Sequence, residues 1–141
     1  MRRRLLAVIA LAVSSTLLSV CGSDSSTSPT VVSVAGTWNL TSVNGKVLPF
    51  TYQANDPKLE LLAKQFVISD AGTFTYSYSV RATDDDGTVT TTRRSDAGTD
   101  TLADNVVTFR FSSDGTTVTA SVSGGTMTIV AGEFSQAFTK Q

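Results

Sequence analysis

The sequence predicts an all-β protein: a small antiparallel up-and-down barrel of eight to ten strands, a meander of hairpins preceded by a signal peptide and a flexible tether. Three observations predict it. From Val34 to Gln141 apolar residues alternate with Thr and Ser, the period of a strand with one buried face. Turn signals recur about every eight to twelve residues, the spacing of an all-β sandwich or barrel. Folding the chain back on those turns brings apolar residues opposite one another, and register is set by such matching because a one-residue slip reverses every side chain.

The chain begins with Arg2-Arg3-Arg4, an apolar run from Leu5 to Val13, a Ser14-Ser15-Thr16 break and then Leu17 to Cys21. A basic start, a short apolar core and a small-residue end are the parts of an export signal, expected over residues 1–20. The stretch from Leu5 to Val20 is 16 residues with four Ser or Thr. A spanning helix needs about 20 apolar residues, so the transmembrane reading is the weaker one. Residues 21–33 include GSDSSTSPT, too poor in apolar groups to fold, and are expected to form a polar tether. The domain is expected over residues 34–141.

Ten segments are expected within it: 37–43, 46–53, 59–69, 73–84, 87–94, 99–103, 106–113, 116–123, 126–130 and 133–140. With Asp70-Ala71-Gly72 as a three-residue loop, Ile68 faces Phe74, Phe66 faces Tyr76 and Leu62 faces Val80. Asp114-Gly115 as a two-residue loop sets Phe111 against Val118, Phe109 against Ala120 and Val107 against Val122. Gly124-Gly125 sets Val122 against Met127 and Ala120 against Ile129, and Ala131-Gly132 sets Ile129 against Phe134. Leu59, Leu62, Ala63 and Phe66 also have helical spacing, but the segment runs unbroken into Phe66-Val67-Ile68, which favours strand. A meander with one apolar face has open edges unless it closes, so a barrel is the simplest solution, with a two-sheet sandwich as the alternative. The strands lack the aromatic girdles of a membrane-spanning barrel.

Composition narrows the chemistry. The chain has no His and a single Cys, which removes the usual general base, an internal disulfide and soft-metal ligation by the mature domain. No cofactor or metal is expected, no nucleophile elbow is visible, and the protein is not expected to be an enzyme. Full-length net charge is −1, but losing three arginines with the signal leaves 8 basic against 12 acidic residues, or −4. With no basic stretch beyond Arg93-Arg94, nucleic acid and anionic membrane surfaces are not expected as partners. Asp84-Asp85-Asp86 reads as a solvated hairpin tip rather than a calcium site.

Leu18-Ser19-Val20-Cys21 resembles the bacterial lipobox, although Val20 stands where a small residue is usual. The resemblance implies that Cys21 becomes the lipid-modified first residue of the mature chain; ordinary signal-peptidase cleavage nearby is the alternative. It also implies a membrane partner through the anchor and, because no aspartate follows Cys21, an outer-membrane location facing periplasm or surface. Gly36-Thr37-Trp38-Asn39-Leu40 followed by Ser42-Val43-Asn44-Gly45-Lys46 is similar to the opening of bacterial lipocalin-like domains. Further matches are Asp70 to Phe74, and Gly98-Thr99-x-Thr101-Leu102 before Val106 to Phe109. This likeness implies a calycin-type barrel in which Trp38, after Gly36, closes one end against a basic side chain of the last strand, here Lys140.

Parity carried around the expected turns points Tyr76, Tyr78, Phe109 and Phe111 inward, and with them Arg93 and Asp100 on neighbouring strands. An unpaired buried charge is costly, so Arg93 and Asp100 are expected to pair or to sit at the mouth. Two functions follow. One is a monomeric, lipid-anchored binding module for a small apolar or amphipathic molecule, with those six residues lining its pocket. The other is a protein-interaction or envelope-structural lipoprotein with a filled interior.

Overall fold

The structure, a computed structural model, describes residues 33–141; the signal segment, Cys21 and the tether up to residue 32 lie outside the described residues. The strands are β1 (Gly36–Val43), β2 (Lys46–Val47), β3 (Phe50–Gln53), β4 (Lys58–Ile68) and β5 (Thr73–Thr83), then β6 (Val89–Ala103), β7 (Val106–Phe111), β8 (Thr117–Ser123), β9 (Thr126–Ala131) and β10 (Phe134–Lys140). They form one antiparallel sheet in the order β2-β1-β10-β9-β8-β7-β6-β5-β4-β3, and β1 also pairs with β4. That last pairing closes eight strands into a barrel, with β2 and β3 as additions. The helical spacing around Leu62 is overridden, and the segment is strand β4.

Two strand boundaries differ from the expectation. The expected strand over 46–53 is two pieces, because Pro49 has no N–H for a ladder and interrupts it. The expected strands 87–94 and 99–103 are one, β6, which pairs with β5 over Val89–Thr99 and with β7 over Gly98–Ala103. Asp96 and Ser95 look like turn residues in sequence, yet tertiary pairing on β5 holds them extended.

Registers depend on loop lengths. The Asp70-Ala71-Gly72 loop pairs Ile68 with Phe74 and Phe66 with Tyr76, as expected, and Gly124-Gly125 pairs Val122 with Met127. Further along β4 a bulge at Leu62 puts Leu61, not Leu62, opposite Val80. The loop at Asp114-Gly115 has four residues, with Phe111 N–H donating to Thr116 O at 2.9 Å. It therefore sets Phe109 against Val118 and Val107 against Ala120, two residues from the expected pairing. The last turn is centred on Gly132-Glu133, so Ile129 faces Gln136 rather than Phe134. Shifts of two keep every side chain on its own face, and the apolar interior survives them.

The interior is packed at the end where β1 begins. Trp38, Val107, Phe109, Met127 and Phe138 have no exposed surface, and Phe66 is 2% exposed. Phe66 sits at the centre, its ring 4.6 Å from Phe109, 5.5 Å from Phe138 and 5.7 Å from Phe74. Outward positions of β8 and β9 are Thr117, Thr119, Ser121, Ser123, Thr126, Thr128 and Val130, a mostly polar exterior with Val130 as its exposed apolar exception.

β6 changes neighbours at Gly98, which pairs with Phe74 on one side and Phe111 on the other. The two rings meet edge to face 5.2 Å apart, and a methyl on Gly98 would run into the Arg110 carbonyl oxygen and lie 2.8 Å from Phe74 Cε1. Gly98→Ala is expected to destabilise the domain by about 1–3 kcal/mol, read as a lower urea midpoint. Gly125→Ala, with nothing within 4 Å of the added methyl, is expected to stay within about 0.5 kcal/mol of wild type. Equal midpoints for the two variants would contradict this packing.

Candidate functional site

The barrel is filled at one end only. β1 pairs with β4 over Gly36–Asn39 against Gln65–Ile68; beyond that the two strands part. β2 then pairs with Ser42 and Val43 of β1, and β3 with Leu59 to Leu61 of β4. The parting leaves a cleft of about 320 Å³ at the mouth, walled by Val43, Phe50, Tyr52, Leu61, Tyr76, Tyr78, Val80 and Phe134, with the Lys64 and Gln136 side chains beside them. Phe50 of β3 meets Phe134 of β10 edge to face at 5.8 Å and forms part of the rim. A recess of about 100 Å³ continues inward past Lys64, Tyr76 and Gln136 to Phe66, Phe111 and Ile129.

Lys64 is the central polar group. It stands two residues before Phe66 on β4, and its Nζ donates to Gln136 Oε1 at 2.7 Å and lies 5.8 Å from the Tyr76 ring centroid. Among the described residues both ion pairs within 4 Å belong to Glu60, so no carboxylate neutralises Lys64. Burial holds its pKa below the ordinary 10.5. Burial likewise raises the Tyr76 phenol well above its usual range, with Tyr78 adding to the effect.

The six residues expected to line a pocket fall in different places. Tyr76 and Tyr78, 5.6 Å apart, wall the cleft, and Phe111 lines its inner recess against Tyr76 at 5.5 Å. Phe109 is a correction: it is fully buried between Phe66 and Phe74 and belongs to the packed end. Arg93 is a second correction. It pairs with Ser79, shares that residue's outward face and is exposed, so it lies on the opposite face of β6 from Asp100. The reason is the loop after β5. Asp84 N–H donates to Thr88 O and Gly87 N–H to Asp84 O, the same pattern that Ser69, Gly72 and Thr73 make. Gly87, at φ 84°, closes a loop of three residues where two were expected, and the extra residue reverses the expected parity of Val89, Thr91 and Arg93. Arg93 instead lines a groove of about 350 Å³ on the outside of the seam, with Leu48, Leu62, Gln65 and Ser79.

Asp100 does point inward, opposite Phe109, but at the closed end, where its N–H donates to Gly72 O at 3.0 Å. It is 8% exposed and its Oδ1 has no hydrogen-bond partner. At the same end Trp38 pairs with Phe66 of β4 and with Lys140 of β10. Its Nε1 donates to Val34 O at 2.7 Å. Lys140 Nζ lies 5.7 Å from the Trp38 ring and donates to Ser33 O at 2.9 Å. Gly36, at φ 133°, leaves room for this, since a methyl there would come within 2.9 Å of Lys140 Cε.

Sequence reasoning missed Lys64, Gln136, Phe50 and Phe134. Two of them had a signal. Lys64 alternates with Phe66 and Ile68, and Gln136 with Phe134 and Phe138, so each is a polar residue on an inward parity. Phe50 had none, because its place depends on the break at Pro49.

Burial pushes the Asp100 carboxyl above its ordinary 3.8. A raised carboxyl pKa means the folded state holds the proton more tightly, so the stability it contributes is complete below 3.8 and is lost as pH rises through the folded-state value. Asp100→Asn is expected to raise the unfolding temperature by a few degrees at neutral pH. Scans at successively lower pH are expected to bring wild type and variant together below about pH 4.

Comparison of the chain with protein families, with curated proteins and with solved structures gives no match, and the cleft geometry is the ground for a functional reading.

Proposed function

We propose that this is an exported lipoprotein of the cell envelope, anchored through Cys21, whose lipocalin-like barrel binds a small apolar or amphipathic molecule at its open mouth. The observation that carries the reading is the aromatic cleft of about 320 Å³ between the parted strands β1 and β4. Ligand sites of about 300 Å³ and above are usually apolar clefts with a few placed polar groups, and Tyr76, Tyr78, Lys64 and Gln136 fit that composition. The packed half of the interior, centred on Phe66 and Phe109, favours the competing envelope-structural role.

Mass spectrometry of the protein purified from its envelope is expected to find one class of apolar small molecule. Tyr78→Trp, which narrows the cleft without touching Phe66, is expected to reduce its recovery. A reproducibly empty wild type would count against binding. For the anchor, cells fed a fatty-acid probe are expected to label the wild-type chain and not Cys21→Ala. The variant is expected to leave the membrane fraction, because each buried methylene of an acyl chain contributes about 0.8 kcal/mol.

A further inference from the structure

We infer that the ligand of the cleft carries a single negative charge, a carboxylate, and that Lys64 is the residue that selects it; this rests on the binding reading above. The mouth cleft, its inner recess and the groove outside the seam all reach the Lys64 side chain. An ammonium there is partly desolvated, and a charge removed from water without a counter-ion is costly. The described residues supply only the neutral Gln136 Oε1 at 2.7 Å.

The remaining polar groups of the cleft are all able to donate, and none carries a negative charge. Lys64 Nζ has two further N–H groups once Gln136 Oε1 is served, and the Gln136 amide nitrogen is itself a donor. Tyr52, Tyr76 and Tyr78 add three hydroxyls to the lining, and no Asp or Glu lines the cleft. Two oxygens sharing one negative charge satisfy such a group of donors and balance one ammonium. A phosphate monoester, near two negative charges at neutral pH, would bring an excess charge into the same apolar walls. The rest of the ligand would be aromatic or alkyl, matching Leu61, Val80, Phe50 and Phe134.

Calorimetric titration of the full-length chain carrying Cys21→Ala, which has no acyl chain to occupy the cleft, tests this with 2-naphthoate, 2-naphthylmethanol and 2-naphthyl phosphate. Naphthoate is expected to bind about tenfold or more tightly than either of the others. Lys64→Met should weaken naphthoate binding far more than that of the alcohol and so remove the preference, and Lys64→Arg should keep most of it. Gln136→Glu supplies Lys64 with an internal counter-ion and should weaken naphthoate binding by more than it weakens binding of the alcohol. Unchanged Trp38 emission marks each variant as folded. Equal affinity for naphthoate and the alcohol, an undiminished preference in Lys64→Met or Gln136→Glu, or tighter binding of the phosphate overturns the carboxylate assignment and leaves the apolar cleft standing. Failure of all three probes to bind wild-type Lys64 protein overturns both.

Discussion

The barrel depends on one short seam. Strand β1 must pair with β10 along one edge and with β4 along the other, and the second pairing covers only Gly36 to Asn39. Trp38 stands in the middle of it, opposite Phe66 on one side and Lys140 on the other. Without that pairing the sheet would present long open edges, which invite association with other chains. The side chains at the seam therefore carry more than their own burial. Trp38 and Phe66 join closure of the sheet to the centre of the core, and Lys140 lies over the indole while its ammonium reaches the Ser33 carbonyl.

The seam is short because the chain leaves β1 through the Asn44-Gly45 turn and returns to β4 by way of Pro49 and the β3 strand. The same detour that takes pairing away from β1 creates the space between β1 and β4. The Gln65 side-chain amide donates to Asn39 Oδ1 at 2.8 Å where the pairing stops, and β3 restores partners for Leu59 to Leu61. Closed end and open mouth are thus two results of one chain path. A fully paired β1–β4 ladder would narrow the space in which Lys64, Tyr78 and Gln136 meet, and the interior would approach a solid core.

Much of the fold was legible because its signal is local. Alternation identified β5 and β7 to β10 nearly to their ends, and the three-residue loop at Gly72 was read with its register. Loop length was the weak point. Gly115 and Gly132 shifted registers by two, which the apolar interior tolerates, whereas Gly87 shifted one by a single residue and placed Arg93 on the wrong face. Asp-Gly pairs occur in loops of two, three or four residues, and hydrogen bonds such as Asp84 N–H to Thr88 O decide between them. At the site, Tyr76 and Tyr78 followed from parity alone. Phe109 shares that parity, but depth along the barrel separates a core residue from a lining one, and depth is not written in alternation.

By itself the sequence determined that the domain is all-β and which face of most strands is apolar. These properties follow from period, β-branching and turn chemistry over a few residues. Only the tertiary structure decided that ten segments close as eight strands, and that the closure is incomplete at the mouth. It alone brought Lys64 and Gln136, 72 positions apart, to 2.7 Å. Closure and ligand geometry depend on contacts between distant strands, and the stagger of those strands is set by loops whose lengths the residues do not announce.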